Sequence, residues 1–243
     1  MRTILPLALI AAAIAGSASA QTPSPAPVDP AKVCQRPPSV QAGIDACGQM
    51  IMGGVLKGDE LAETYNQRAT LKARSGDLNG AVKDWDAAVK AKPDFAEAYY
   101  NRANAQDRLG KPELAIGDYD KAIALQPYLP QAFNNRCWIR AEINKELDKA
   151  LADCDQALRL KADNPKAYDT RGLVRLRLGQ NQAAIADYDA ALELNPKLAA
   201  SLYGRGIAKL RTGDGAGAQA DIAAARQIEP KISLVFENLG VKP

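Results

Sequence analysis

The chain has 243 residues, of which 47% are hydrophobic, 24% charged and 5% aromatic, with no histidine and a formal net charge of +3. The missing histidine excludes serine–histidine and cysteine–histidine catalysis, histidine general bases and histidine metal ligands. Near-balanced charge argues against a strong electrostatic hold on nucleic acid or anionic lipid, and the alanine- and leucine-rich apolar stock favours helix.

In chain order, residues 1–20 read as a secretory signal peptide. Arg2 precedes an apolar run from Ile4 to Ala15, and Ala18-Ser19-Ala20 closes it with small residues. The run is too short to span a bilayer, which takes about 20 apolar residues. Cleavage near Ala20 would leave an exported, periplasmic or secreted protein. Residues 21–38 read as an extended proline-rich linker, with Pro23, Pro25, Pro27 and Pro30 inside QTPSPAPVDPAKV. In residues 39–61, Val40, Ile44, Cys47, Met50 and Ile51 fall at helical spacing, as in the second helix of a degenerate unit. The glycines of Gly53-Gly54-Val55-Leu56-Lys57-Gly58 then break it.

From residue 62 the sequence repeats at a shift of 34, in units 62–95, 96–129, 130–164, 165–198 and 199–232, the third being one residue longer. The fourth place holds Tyr65, Tyr99, Phe133, Tyr168 and Leu202, and the eighth Ala69, Ala103, Cys137, Gly172 and Gly206. The fifteenth is glycine in every unit but the third, where Asn144 stands. The twentieth and twenty-seventh are alanine throughout, and the twenty-fourth is Trp85, Tyr119, Cys154, Tyr188 and Ile222. Each unit closes on proline except the third, which has Ala162. Two helix-spaced stretches around a glycine turn, with proline ending the second, describe a helical hairpin. One hairpin cannot bury its own apolar face, so neighbours must stack. Residues 233–243 supply a last capping helix, with Phe236 and Gly240 where a sixth unit would put its aromatic and its small residue.

Every seventh place is arginine (Arg68, Arg102, Arg136, Arg171, Arg205) and every twenty-third is aspartate (Asp84, Asp118, Asp153, Asp187, Asp221). Their recurrence in every unit favours a stacking rule over an array gripping an acidic ligand. The aspartates two places on (Asp86, Asp120, Asp155, Asp189) make carboxylate pairs that an enzyme would need. Because the pairs recur, they read as exposed helix faces, and no catalytic residue, metal or cofactor is expected.

Cys34, Cys47, Cys137 and Cys154 form an even set, which in an oxidising compartment implies disulfides. Four cysteines allow three connectivities. The hairpin geometry favours the local pairs, because Cys137 and Cys154 lie midway along facing helices. No Cys-x-x-Cys occurs and the spacings do not resemble a zinc site.

The 34-residue pattern resembles the tetratricopeptide repeat. The resemblance covers residues 62–230 and implies an all-α solenoid: a right-handed superhelix of five helix hairpins, with an N-terminal half-repeat and a C-terminal capping helix. By that resemblance the first helices line a concave groove that binds a peptide or helix of another protein. Its contacts would be Tyr100, Asn101, Asn104 and Arg108 in the second unit, and Asn134, Asn135, Trp138 and Glu142 in the third. Lys166, Asp169 and Arg177 follow in the fourth unit, and Tyr203 and Arg211 in the fifth. Some family members clamp a terminal carboxylate with lysine, asparagine, asparagine, lysine and arginine. Here Tyr100, Asn104, Asn135, Lys166 and Thr170 stand at those places, so two cations are missing. The resulting expectation is a non-catalytic interaction scaffold, monomeric or weakly self-associating. An architectural, self-associating envelope protein is the alternative.

Overall fold

The computed structural model of the protein describes residues 29–242, so the expected signal peptide and the first part of the linker lie outside the described residues. The described residues form thirteen helices and no strand. The first is α1 (Pro30–Gln35), which corrects the expected linker: Asp29 caps it, and Cys34 is buried and bonded to Cys47 of α2 (Val40–Met52). A proline at the first helical position is compatible with a helix start, since its missing N–H has no intrahelical partner there.

Five hairpins follow: α3 (Gly58–Ser75) with α4 (Leu78–Ala91), α5 (Ala96–Arg108) with α6 (Pro112–Leu125), α7 (Pro130–Glu142) with α8 (Leu147–Leu160), α9 (Pro165–Arg177) with α10 (Asn181–Leu194), and α11 (Ala199–Arg211) with α12 (Gly215–Ile228). The last helix is α13 (Ile232–Asn238). Helix α3 starts one turn before residue 62. Asp59 and Glu60 occupy that added turn, where carboxylates suit the N-terminal dipole, and Asp59 pairs with Lys92 at 2.9 Å.

The turns follow from residue chemistry. Gly76, Gly110, Gly179 and Gly213 sit at positive φ, the left-handed conformation that ends a helix most cheaply in glycine. Asn144 takes the same conformation in the third unit at φ 52°, and the inserted Glu146 follows at φ 50°. The recurring small residues are contact points between helices. The alanines of places 20 and 27 are fully buried in every hairpin, and an added Cβ on Gly172 would come within 2.8 Å of the Tyr188 ring.

First helices also touch across hairpins (α3 with α5, α7 with α9, α9 with α11), whereas second helices make no comparable contact with one another. The first helices therefore form the tighter, inner layer. No described helix is long and apolar enough to cross a membrane.

Candidate peptide groove on the inner helices

The arginine and aspartate rows form one continuous brace. In each hairpin the place-seven arginine donates two N–H groups to the place-23 aspartate at 2.5–3.1 Å. From the second hairpin on, its remaining Nη1 reaches back to the preceding unit: Arg102 to Asp86, Arg136 to Asp120, Arg171 to Asp155 and Arg205 to Asp189, at 2.5–2.7 Å. Four of the guanidiniums also lie over the place-four ring of their own helix, 5.3–5.7 Å from its centroid. This corrects one expectation about the carboxylate pairs. The place-23 member is buried in every unit, and only the place-25 member is exposed or nearly so. The row is committed to stacking and leaves no free cation array for a ligand.

The inner face carries the residues expected to meet a peptide, and its first half is polar. Trp85 Nε1 donates to Asn66 Oδ1 at 2.8 Å, and Asn101 approaches the same oxygen at 3.5 Å. Next to them, Asn101, Asn104 and Arg108 line a recess of about 230 Å³ with Thr70, Arg74 and Trp85. On the other side of α5, Tyr100, Asn134, Asn135 and Lys166 line a recess of about 290 Å³ with Pro130, Gln131, Lys161 and Asn164. Between the two recesses, the Tyr119 hydroxyl donates to Asn104 Oδ1 at 2.5 Å. Asn135 Nδ2 donates to Asn104 Oδ1 at 2.9 Å and to the Tyr119 oxygen at 3.3 Å. These bonds use up one end of each amide. Asn104 Nδ2 is left as a donor and Asn135 Oδ1 as an acceptor.

The second half of the inner face is apolar. Its ninth places change from Thr70 and Asn104 to Trp138, Leu173 and Ile207. Trp138 packs between the cluster around Tyr119 and the cluster around Tyr188. Asp169 accepts a hydrogen bond from Ser201 Oγ at 2.6 Å, and burial pushes its carboxyl pKa up to about 6. Burial likewise raises Asp107 and Glu142, with Asp107 adding like-charge repulsion on Glu142. Arg177 and Arg211 do not face an open groove. Arg177 Nη2 donates to the carbonyl of Leu239, and Arg211 Nη2 to that of Lys242 at 2.8 Å, so both hold the C-terminal tail. Tyr203 is buried beneath Phe236, with ring centroids 4.9 Å apart. At the last clamp place, Thr170 is buried and its hydroxyl donates to the Lys166 carbonyl at 2.9 Å.

Several groove residues went unread in the sequence. Asn66, Thr70 and Arg74 occupy the same fifth, ninth and thirteenth places that were read in later units, so the register alone could have found them. The Tyr119 hydroxyl had no such signal, because place 24 reads only as a space-filling ring.

A solenoid of stacked helical hairpins whose inner face is polar in front and apolar behind defines a repeat scaffold. Models of the tetratricopeptide repeat match residues 66–130 and 139–202, and the chain belongs to this family. Among solved structures it is similar to a tetratricopeptide repeat protein from Parabacteroides merdae, at 17% identity over 86% of this chain and 84% of that one, with a TM-score of 0.68. It is similar to YrrB, described as having an unusual peptide-binding site, at 20% identity over 80% and 98% with a TM-score of 0.65. MamA from Desulfovibrio magneticus RS-1 is also similar, at 20% identity over 72% and 98% with a TM-score of 0.65. At these identities the likeness is one of fold. No curated protein matches the chain.

Proposed function

We propose that the protein is an exported, non-catalytic scaffold that binds an extended peptide segment of a partner protein along the inner face of α5 and α7. The observation that carries this reading is the Asn104–Tyr119–Asn135 network. A peptide unit has one acceptor and one donor, and the network presents one fixed donor and one fixed acceptor beside two recesses. If both amides were turned over together, the pair would still offer one of each. Because the amides are held before a ligand arrives, binding spends less ordering entropy on them. Export is supported by the N-terminal sequence and by two disulfides, a bond favoured in oxidising compartments and rare in reducing ones.

The test is photo-crosslinking in the native cell with the probe at Trp138, compared with a probe at Leu114 on the outer helix α6. Capture of a defined partner is expected from position 138 only. Asn135→Ala should weaken binding of the captured partner's segment about 10-fold, the cost of roughly one well-placed hydrogen bond. Equal capture from both probe positions would refute groove binding.

A further inference from the structure

The back half of the groove is already filled, and the filling is peptide. Helix α13 ends in a turn in which Val241 N–H donates to the Phe236 carbonyl at 2.9 Å and Gly240 takes φ 70°. That turn redirects residues 239–242 so that they pass the C-terminal end of α9 and run on toward that of α11. Phe236 and Val241 are each 4% exposed, in one apolar cluster with Leu173, Tyr203 and Ile207. Two main-chain carbonyls of the tail, at Leu239 and Lys242, are taken by Arg177 and Arg211. Both arginines stand at the thirteenth place of an inner helix, where the family resemblance put contacts to a bound peptide. Arg211 is itself oriented by donating Nη1 to the Leu176 carbonyl at 3.1 Å. The outward side of α13 is uncovered, with Leu234 and Val235 52% and 45% exposed, so the segment is held from one side only.

We infer that Ile232–Lys242 is a displaceable occupant of the apolar half of the groove. It is a latch that holds the place of a partner segment with the same features: an apolar helical turn followed by an extended stretch that presents carbonyls to Arg177 and Arg211. This rests on the reading of the inner face as a peptide groove and adds its regulation. With the latch closed, a partner has only the polar half, on α3, α5 and α7. With the latch open, the contact surface extends over α9 and α11. The apparent affinity of the back half is then reduced by the fraction of molecules whose latch is open.

The test uses the full chain and a fluorescent peptide, ISLVFENLGVK, which copies residues 232–242. Fluorescence anisotropy should show weak binding to the parent protein. Phe236→Ala, which loosens the latch in cis, should tighten binding of the peptide in trans by about 10-fold. Val241→Ser leaves the helical part of the segment intact and should act in the same direction. Adding Arg211→Ala to either variant should reverse the gain. A scrambled peptide should not bind. No gain in either loosened variant, or equal binding of the scrambled peptide, overturns the latch. Asn135→Ala should leave binding of this peptide unchanged, so the front-half reading and the latch fail separately.

Discussion

At the scale of single residues, one side chain serves two contacts in most of the hairpins. Arg102 holds Asp118 of its own hairpin and Asp86 of the one before, and Arg136 does the same for Asp153 and Asp120. The two differ at place eleven. In the third unit Arg140 also pairs with Asp153, whereas in the second unit Gln106 stands there and its Oε1 has no partner among the described residues. Removing Arg136 therefore leaves Asp153 a cation, while removing Arg102 leaves Asp118 buried and alone. Arg136→Ala should cost about 2 kcal/mol and Arg102→Ala about 3 kcal/mol or more, since an uncompensated buried charge is the expensive outcome. Thermal unfolding of both variants checks the order. Arg136→Ala should also lower Tm more than it weakens any ligand. Asp169 gives a pH signature. Its folded pKa of about 6 lies above the usual carboxylate value, so the folded state binds more protons, and its contribution to stability falls as pH rises from about 4 to 6. Asp169→Asn removes that loss. The variant should gain on the parent by at most about 3 kcal/mol between pH 4 and pH 7, read as the difference in Tm at each pH.

At the scale of elements, the third hairpin is the irregular one and also the one carrying a bridge. It lacks the closing proline, carries an inserted residue, and places Asn144 and Glu146 in the left-handed region, which costs non-glycine residues about 1–2 kcal/mol each. The Cys137–Cys154 disulfide ties its two helices together across a separation of 17 residues. Replacing both cysteines by serine should cost about 3 kcal/mol by the chain-entropy account of a loop of this size. In a solenoid each unit is stabilised mainly by its neighbours. The loss should therefore concentrate in α7 and α8, where amide hydrogen exchange should accelerate more than in α3–α4 or α11–α12. Uniform acceleration along the chain would show that the bridge has no local role.

At the scale of the whole molecule, three of the four neighbouring pairs of inner helices close up on one another and the outer helices do not, so one face becomes a groove and the other a convex back. That groove is divided. Its front is polar and organised by asparagines tied to Trp85 and Tyr119; its back is apolar and covered by the chain's own C-terminal segment. The brace of arginines and aspartates runs through all five hairpins, and its bidentate, partly buried geometry is of the kind that resists salt better than exposed pairs do.

The hairpins themselves were legible because they are local. Small residues at fixed places, a glycine turn and a closing proline act within one unit, and repetition multiplied the signal. The arginine and aspartate rows were legible for the same reason, although their spacing of sixteen residues, seventeen in the third unit, could not say that Nη1 also reaches the neighbouring hairpin. What sequence alone could not supply depends on contacts between segments far apart in the chain. Arg177 and Leu239 are 62 residues apart, and no periodicity links a helix end in the fourth unit to a tail that follows the last repeat. The same holds for α1, whose residues read as part of an extended linker until the bond from Cys34 to Cys47 and the burial of Cys34 supplied a reason to fold. The sequence by itself determined the repeat, its helices and the register of its contacts, because those are nearest-neighbour properties. The tertiary structure alone decided which part of the groove stays open, because that depends on where residues 232–242 come to rest.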